Sequence, residues 1–148
     1  MRSAISSTRQ LDLDNQLCFA LYSASLAMTK LYKPLLAGLG LTYPQYLVML
    51  VLWESDGLMV SQLGERLSLD SGTLTPLLKR MEVSGSIVRI RALDDERRVH
   101  ITLTAAGRKL KTRAAAIPGC IVNAAQCPAS ELISLTRQVQ ALRQRLGA

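Results

Sequence analysis

Two short helical patterns meet at Asp70-Ser71-Gly72 and run straight into an alternating hairpin with a charged tip, and this order constrains the chain more than any other feature. In Val60–Leu67 the buried face is expected to carry Leu63 and Leu67, with Ser61 as the cap. In the pattern that opens at Asp70, Leu74, Leu77, Leu78 and Met81 recur at spacings that turn them inward, leaving Thr73, Thr75, Lys79 and Arg80 free to face out. Ser84-Gly85 stops it. Ile87–Arg91 and Val99–Leu103 then alternate as two strands around the tip Asp94-Asp95-Glu96-Arg97-Arg98. Helix, tight turn, helix and basic hairpin, in that order, predict a winged helix-turn-helix.

The rest of the chain reads as helix, with aromatics at only 4% and a core expected from Leu, Ala, Val and Met rather than from a β-sandwich. Residues 1–10 are polar and expected to be loose. From about Asp12 to Leu36, the rows Leu17, Ala24, Leu31 and Leu21, Met28, Leu35 form one apolar stripe on a long helix. Pro34 should bend its last turn, and Gly38 and Gly40 should end it. Thr42 as cap and Pro44 near the first position open a second helix that stops near Asp56-Gly57. After the hairpin, Thr104 caps a helix that weakens around Pro118-Gly119. A final helix from about Pro128 to Leu146 carries Leu132, Leu135, Val139, Leu142 and Leu146 along a narrow seam. Such seams suit pairing of two copies, although burial on the chain's own core is the other ordinary use. The 148 residues suffice for one domain with a real core. The expected architecture is therefore a mainly α single domain over 1–148, with 12–38 and 105–146 as dimerisation helices and 42–104 as the winged helix-turn-helix.

Charge adds a partner. The net charge is +7, and from Lys79 to Arg113 ten of the 18 Lys and Arg stand against four acids. Beside a helix-turn-helix, that cluster points to double-stranded DNA, and a homodimer would read a pseudo-palindromic operator. Ser71, Thr73, Thr75, Lys79 and Arg80 can reach base edges and phosphates in a major groove, while Arg97 and Arg98 can enter or flank the adjacent minor groove. Asp95 is expected to orient Arg97 through a carboxylate pair.

No apolar run approaches the ~20 residues of a membrane span, and Met1–Ser6 lacks the apolar core of a secretory signal, so a cytoplasmic location without membrane contact is expected. Cys18, Cys120 and Cys127 are an odd number for a reducing compartment, so any disulfide should be conditional. With the only histidine, His100, the last two have poor spacing for zinc; no metal and no cofactor are expected, and His100 reads as a surface residue.

The segment Asp95-Glu96-Arg97-Arg98-Val99-His100-Ile101-Thr102-Leu103-Thr104 resembles the wing signature of MarR-type transcriptional regulators, and the resemblance extends over nearly the whole chain. Leu13–Tyr22 and Leu41–Tyr46 are similar, more narrowly, to the organic-hydroperoxide sensor branch, OhrR. The resemblance implies a dimeric repressor, not an enzyme, whose peroxide-reactive cysteine lies near the start of the first helix, where Cys18 stands. It also implies that two tyrosines, at the positions of Tyr32 and Tyr43, hydrogen-bond that cysteine from the partner subunit. Tyr22 and Tyr46 remain core or interface side chains.

The chemistry is consistent with this, because a thiolate is the nucleophile, phenolic O–H groups stabilise it, and attack on a peroxide O–O bond gives sulfenic acid. In two-cysteine members a second cysteine from the other subunit closes an intersubunit disulfide. Such a disulfide is expected to rearrange the terminal helices of the dimer, shift the two recognition helices from a spacing of about 34 Å and lower DNA affinity. Here the chain departs from the pattern. The usual resolving position is Asn123, with Cys120 one turn before it and Cys127 one turn after. Cys127 is preferred because it sits in a junction, and a small thiol is the remaining route. Two other functions compete: a MarR-type regulator released by a small aromatic ligand, with Cys18 structural, and a thiol peroxidase. Against the peroxidase stand the lack of a Cys-x-x-Cys motif, of an evident partner base and of a thioredoxin-like strand order.

Overall fold

The computed structural model describes residues 9–95 and 97–147. Seven α-helices and a three-stranded sheet follow in the order α1 (Leu17–Ala37), α2 (Tyr43–Glu54), β1 (Leu58–Met59), α3 (Val60–Leu67), α4 (Ser71–Ser84), β2 (Ile87–Arg91), β3 (Val99–Leu103), α5 (Ala105–Ala114), α6 (Ile117–Ala125) and α7 (Ala129–Arg145).

Local chemistry sets several of these boundaries. Thr42 caps α2 and forms a reciprocal box with Gln45: its hydroxyl accepts from the Gln45 N–H at 3.4 Å, and Gln45 Oε1 accepts from the Thr42 N–H at 3.0 Å. The Thr104 hydroxyl accepts from the Gly107 N–H at 3.0 Å and opens α5. Helix α4 ends at Gly85, whose φ of 88° is the left-handed conformation that glycine adopts without a Cβ clash.

Three details differ from the sequence reading. Helix α1 starts at Leu17, not Asp12, behind single 3-10 turns at Arg9–Leu11 and Leu13–Asn15. The Asn15 and Gln16 side chains donate to the carbonyls of Arg9, Gln10 and Asp12, and so compete with a continuous helix. The expectation of a loose N-terminus falls mainly on residues 1–8, outside the described residues. Helix α3 spans the expected Val60–Leu67, but Ser61 is not its cap: the cap is Met59, whose N–H donates to Gln62 Oε1 at 2.9 Å. The weakening expected at Pro118-Gly119 is instead a break at Ala115-Ala116, because Pro118 sits in the first turn of α6, where its missing N–H has no partner to lose. Helix α1 runs past Pro34 to Ala37 and stops at Gly38, as expected.

The core is gathered by α2, α3, α4 and the sheet. Val48, Met49, Leu52, Leu63, Leu74, Leu78, Met81, Ile87 and Ile101 are all below 2% exposed, and Leu36, Leu103, Ala114, Ile117 and Ile121 extend the cluster into α1, β3, α5 and α6. Strand order is β1-β3-β2, antiparallel, with Ile101 opposite both Arg89 and Leu58. The two-residue β1 is too short to leave an alternating pattern, and sequence reasoning missed it. The terminal helices stand largely outside this core. Leu36 is the only buried residue of α1 and α7 has none, while Leu17, Leu21, Leu26, Met28, Ile133 and Leu135 are exposed. No helix among the described residues is long and apolar enough to cross a membrane.

Candidate DNA interface and redox site

Turn chemistry holds the second helix of the motif in place. Ser68 takes a left-handed φ of 54°, and the Leu69 N–H donates back to the Gly64 carbonyl at 3.0 Å. A Cβ on Gly64 would lie 2.7 Å from the Leu69 carbonyl oxygen, so only glycine permits so tight a turn between α3 and α4. Asp70 then caps α4, its Oδ1 accepting from the Thr73 N–H at 2.7 Å, and that backbone bond holds the carboxyl below the usual carboxylate range. Leu74, Leu77, Leu78 and Met81 are buried as expected. Ser71, Thr73, Lys79 and Arg80 are exposed together on the opposite side, and Thr75 is half-buried.

The wing is closed by its own backbone. The Ala92 N–H donates to the Arg98 carbonyl at 2.9 Å and the Arg98 N–H to the Asp95 carbonyl at 3.0 Å. The expected Asp95–Arg97 pair takes a different form: Asp95 Oδ1 accepts from the Arg97 backbone N–H at 3.0 Å, not from its guanidinium. A carboxylate two residues ahead of an N–H closes an Asx-type turn more readily than it reaches a long side chain. Arg97 and Arg98 are both exposed.

Cys18 stands exposed in the first turn of α1, which holds no acidic residue. Tyr32 is fourteen residues further along the same helix, about 21 Å at 1.5 Å per residue. Within one chain Cys18 therefore lies far from the tyrosine pair. Tyr32 and Tyr43 themselves are together, with ring centroids 4.9 Å apart, and Tyr46 joins them at 5.8 and 6.4 Å. Desolvation raises the pKa of all three above the ordinary 10.0, so they remain neutral O–H donors at physiological pH. Trp53 meets Tyr46 edge-on and donates from its indole N–H to the Gly107 carbonyl at 3.0 Å, tying α2 to α5. An apolar groove of about 850 Å³ opens beside Tyr43, between the second half of α1 and the start of α2, and is lined also by Leu26, Lys30, Lys33, Leu41 and Pro44.

Cys120 is exposed on α6, and Cys127 is half-buried in the bend between α6 and α7. His100 Nδ1 lies 3.3 Å from the Gly57 carbonyl oxygen, and no three potential metal ligands gather among the described residues. Sequence reasoning missed two features of the site. Tyr46 is buried in the core, as one of its two expected places, but its membership of the aromatic cluster, which its spacing of three from Tyr43 allows, was not foreseen. Glu82 bonds to Arg89 of β2 through both carboxylate oxygens, at 2.8 Å to the backbone N–H and 3.2 Å to Nε. Its only signal was an acid in an otherwise basic stretch.

The transcriptional regulator SarA/Rot family matches residues 30–114 of the chain. The organic hydroperoxide resistance transcriptional regulator of Bacillus subtilis is 52% identical over 134 residues, covering 90% of this chain and 91% of that protein. Among solved structures, reduced AbfR bound to DNA superposes with a TM-score of 0.78 at 35% identity, covering 95% of this chain and 99% of that one. Disulfide-formed AbfR superposes with a TM-score of 0.65 at 37% identity, covering 91% and 95%. Family match, identity across nearly the full length and a shared winged-helix architecture agree: the chain belongs to the MarR/SarA family of winged helix-turn-helix transcriptional regulators, in its organic-hydroperoxide-regulator branch.

Proposed function

We propose that this chain is a homodimeric DNA-binding repressor that senses organic hydroperoxides through Cys18 and lets go of its operator when Cys18 is oxidised. Residues 42–104 hold the DNA, and 12–38 with 105–146 hold the two copies together. One observation carries the reading. Cys18 and the Tyr32–Tyr43 pair lie at opposite ends of the exposed, apolar α1, so they can form one site only across two copies that pack this helix antiparallel. The apolar faces of α1 and α7, uncovered by the chain's own core, supply the surface for that pairing. The relative's name, which speaks of organic hydroperoxide resistance, supports the choice of oxidant. The chain superposes on DNA-bound AbfR, reduced or overoxidised, with a TM-score of 0.78 and on disulfide-formed AbfR with 0.65, which suits a subunit of DNA-competent shape.

The chemistry balances without a cofactor. The Cys18 thiolate attacks the peroxide oxygen, the O–O bond breaks, and the alcohol leaves with a proton. The sulfur, oxidised by two electrons, becomes sulfenic acid. A second thiol then attacks that sulfur, expels water and forms the S–S bond. Cys127 of the second copy is the assigned resolver, because a bend between helices can rearrange at less cost than the interior of α6, where Cys120 sits. Non-reducing electrophoresis after treatment with cumene hydroperoxide tests this. A dimer-sized band is expected from the unaltered protein and from Cys120→Ser, and none from Cys18→Ser or Cys127→Ser. If Cys127→Ser keeps the band, the assignment of Cys127 is wrong, and if the unaltered protein gives no band, the intersubunit disulfide is wrong.

A second reading rests on the groove beside Tyr43, whose 850 Å³ falls within the range of small-ligand sites. A small aromatic ligand there would release DNA without Cys18. Release by hydroperoxide that survives in Cys18→Ser would favour it.

A further inference from the structure

The recognition helix and the wing must reach adjacent grooves at once, yet they belong to different elements joined by a two-residue link at Gly85-Ser86. One side chain bridges them beyond that link. Glu82, in the last turns of α4, accepts the Arg89 backbone N–H at 2.8 Å through Oε2 and Arg89 Nε at 3.2 Å through Oε1. The two bonds do different things. Strand β2 is an edge strand, paired only with β3, so the Arg89 N–H that faces away from β3 is an open edge position which the carboxylate occupies. The Nε bond fixes the turn of the Arg89 side chain, and both partners are only partly exposed, at 28% and 36%. Charge-assisted bonds to both ends of one residue resist sliding as well as rotation of β2 against α4. The backbone bond from Arg89 holds the Glu82 carboxyl below the usual carboxylate range, consistent with a carboxylate that stays ionised in this clamp.

We propose that Glu82 is a positioning residue for DNA recognition: it locks the wing to the recognition helix at the offset that lets Arg97 and Arg98 reach the groove flanking the one α4 enters. The inference rests on the DNA-binding reading above. It also assigns Arg89 to the clamp, so that the interface's phosphate contacts come from other cations.

The sign of the effect separates positioning from plain charge. Replacing Glu82 with a neutral residue makes a DNA-facing region more positive, and electrostatics alone predicts tighter binding. Positioning predicts the reverse. The probe is a duplex selected by the unaltered protein from a random-sequence pool, with binding followed by fluorescence anisotropy of the duplex and wing contacts by hydroxyl-radical footprinting. Glu82→Ala is expected to weaken binding roughly tenfold, the effect of losing one or two groove contacts. The flanking minor-groove protection should fade while the central protection remains. Glu82→Gln, which keeps an oxygen for the Arg89 N–H, should recover part of the affinity, and adding Arg97→Ala to Glu82→Ala should cost little more. Unfolding by circular dichroism shows that the variants are folded, with Glu82→Gln as the conservative partner if Glu82→Ala is not. Equal or tighter binding by both variants, a uniform loss of protection, or full additivity with Arg97→Ala would overturn the proposal. If the unaltered protein selects no duplex, the DNA-binding reading fails and this inference fails with it.

Discussion

Gly107 sits in the first turn of α5, where the helix leaves the wing, and Gly107→Ala asks how closely those two parts must approach. A Cβ there would lie 2.1 Å from the Ser86 carbonyl oxygen, 3.1 Å from the Ser86 carbonyl carbon and 3.3 Å from Leu103 Cδ2. Ordinary carbon–oxygen contact begins near 3.2 Å, so α5 and the start of β2 would have to part by about 1 Å. The obstacle is backbone, and that backbone is itself pinned: the Ser86 carbonyl accepts from the Thr104 N–H at 3.1 Å, and the Gly85 carbonyl from the Thr104 hydroxyl at 2.6 Å. The Gly107 carbonyl, which accepts from Trp53, would move as well. Overpacking of this kind costs about 3 kcal/mol at the upper end of its usual range, while alanine's better helix propensity returns at most about 1 kcal/mol. The net loss of roughly 2 kcal/mol corresponds to a melting temperature lower by about 4–8 °C for a chain of this size. Thermal unfolding followed by circular dichroism measures it. An unchanged or raised melting temperature would show that the α5–β2 contact relaxes freely and that the reasoning is wrong.

Other perturbations read other parts of the account. Leu78, fully buried on the core side of α4, should cost about 2–5 kcal/mol when replaced by Ala, and denaturant unfolding would show a lowered midpoint with little change in slope. Arg97→Ala should weaken DNA binding and reduce the slope of log affinity against log salt by about 1, read from anisotropy titrations at several salt concentrations. The partly buried tyrosine cluster predicts alkaline sensitivity. Its folded pKa values lie above the ordinary 10.0, so the stability it contributes is present below pH 10 and lost as pH rises through the folded values. Tyr43→Phe should flatten the fall in melting temperature above pH 10, and an unchanged fall would place the sensitivity elsewhere.

Much of the DNA-binding half was legible because it is written in local signals. Asp70, Gly85, Thr42 and Thr104 cap or stop helices through their own side chains or their own φ, and the α4 and hairpin periodicities arise from a core that lies on one side of each element. What escaped is non-local. The pairing of β1 with β3 joins residues 58–59 to 100–101, and Glu82 meets Arg89 across a turn. The start of α1 was misplaced because side-chain amides of Asn15 and Gln16 capture carbonyls that a helix would have used. Of the residues in the proposed redox site, the tyrosines come together within the chain, whereas Cys18 lies far from them along α1.

The central claim is that oxidation of Cys18 decides whether DNA is held. Its most direct test is the anisotropy of a selected duplex bound to the reduced protein during titration with cumene hydroperoxide, followed by dithiothreitol. The account predicts that the unaltered protein releases the duplex at about one equivalent of oxidant per Cys18 and rebinds it on reduction, because one two-electron oxidation per thiol suffices. Cys18→Ser should stay bound throughout. Release by Cys18→Ser at the same oxidant concentration, or retention of DNA by the fully oxidised protein, would contradict it.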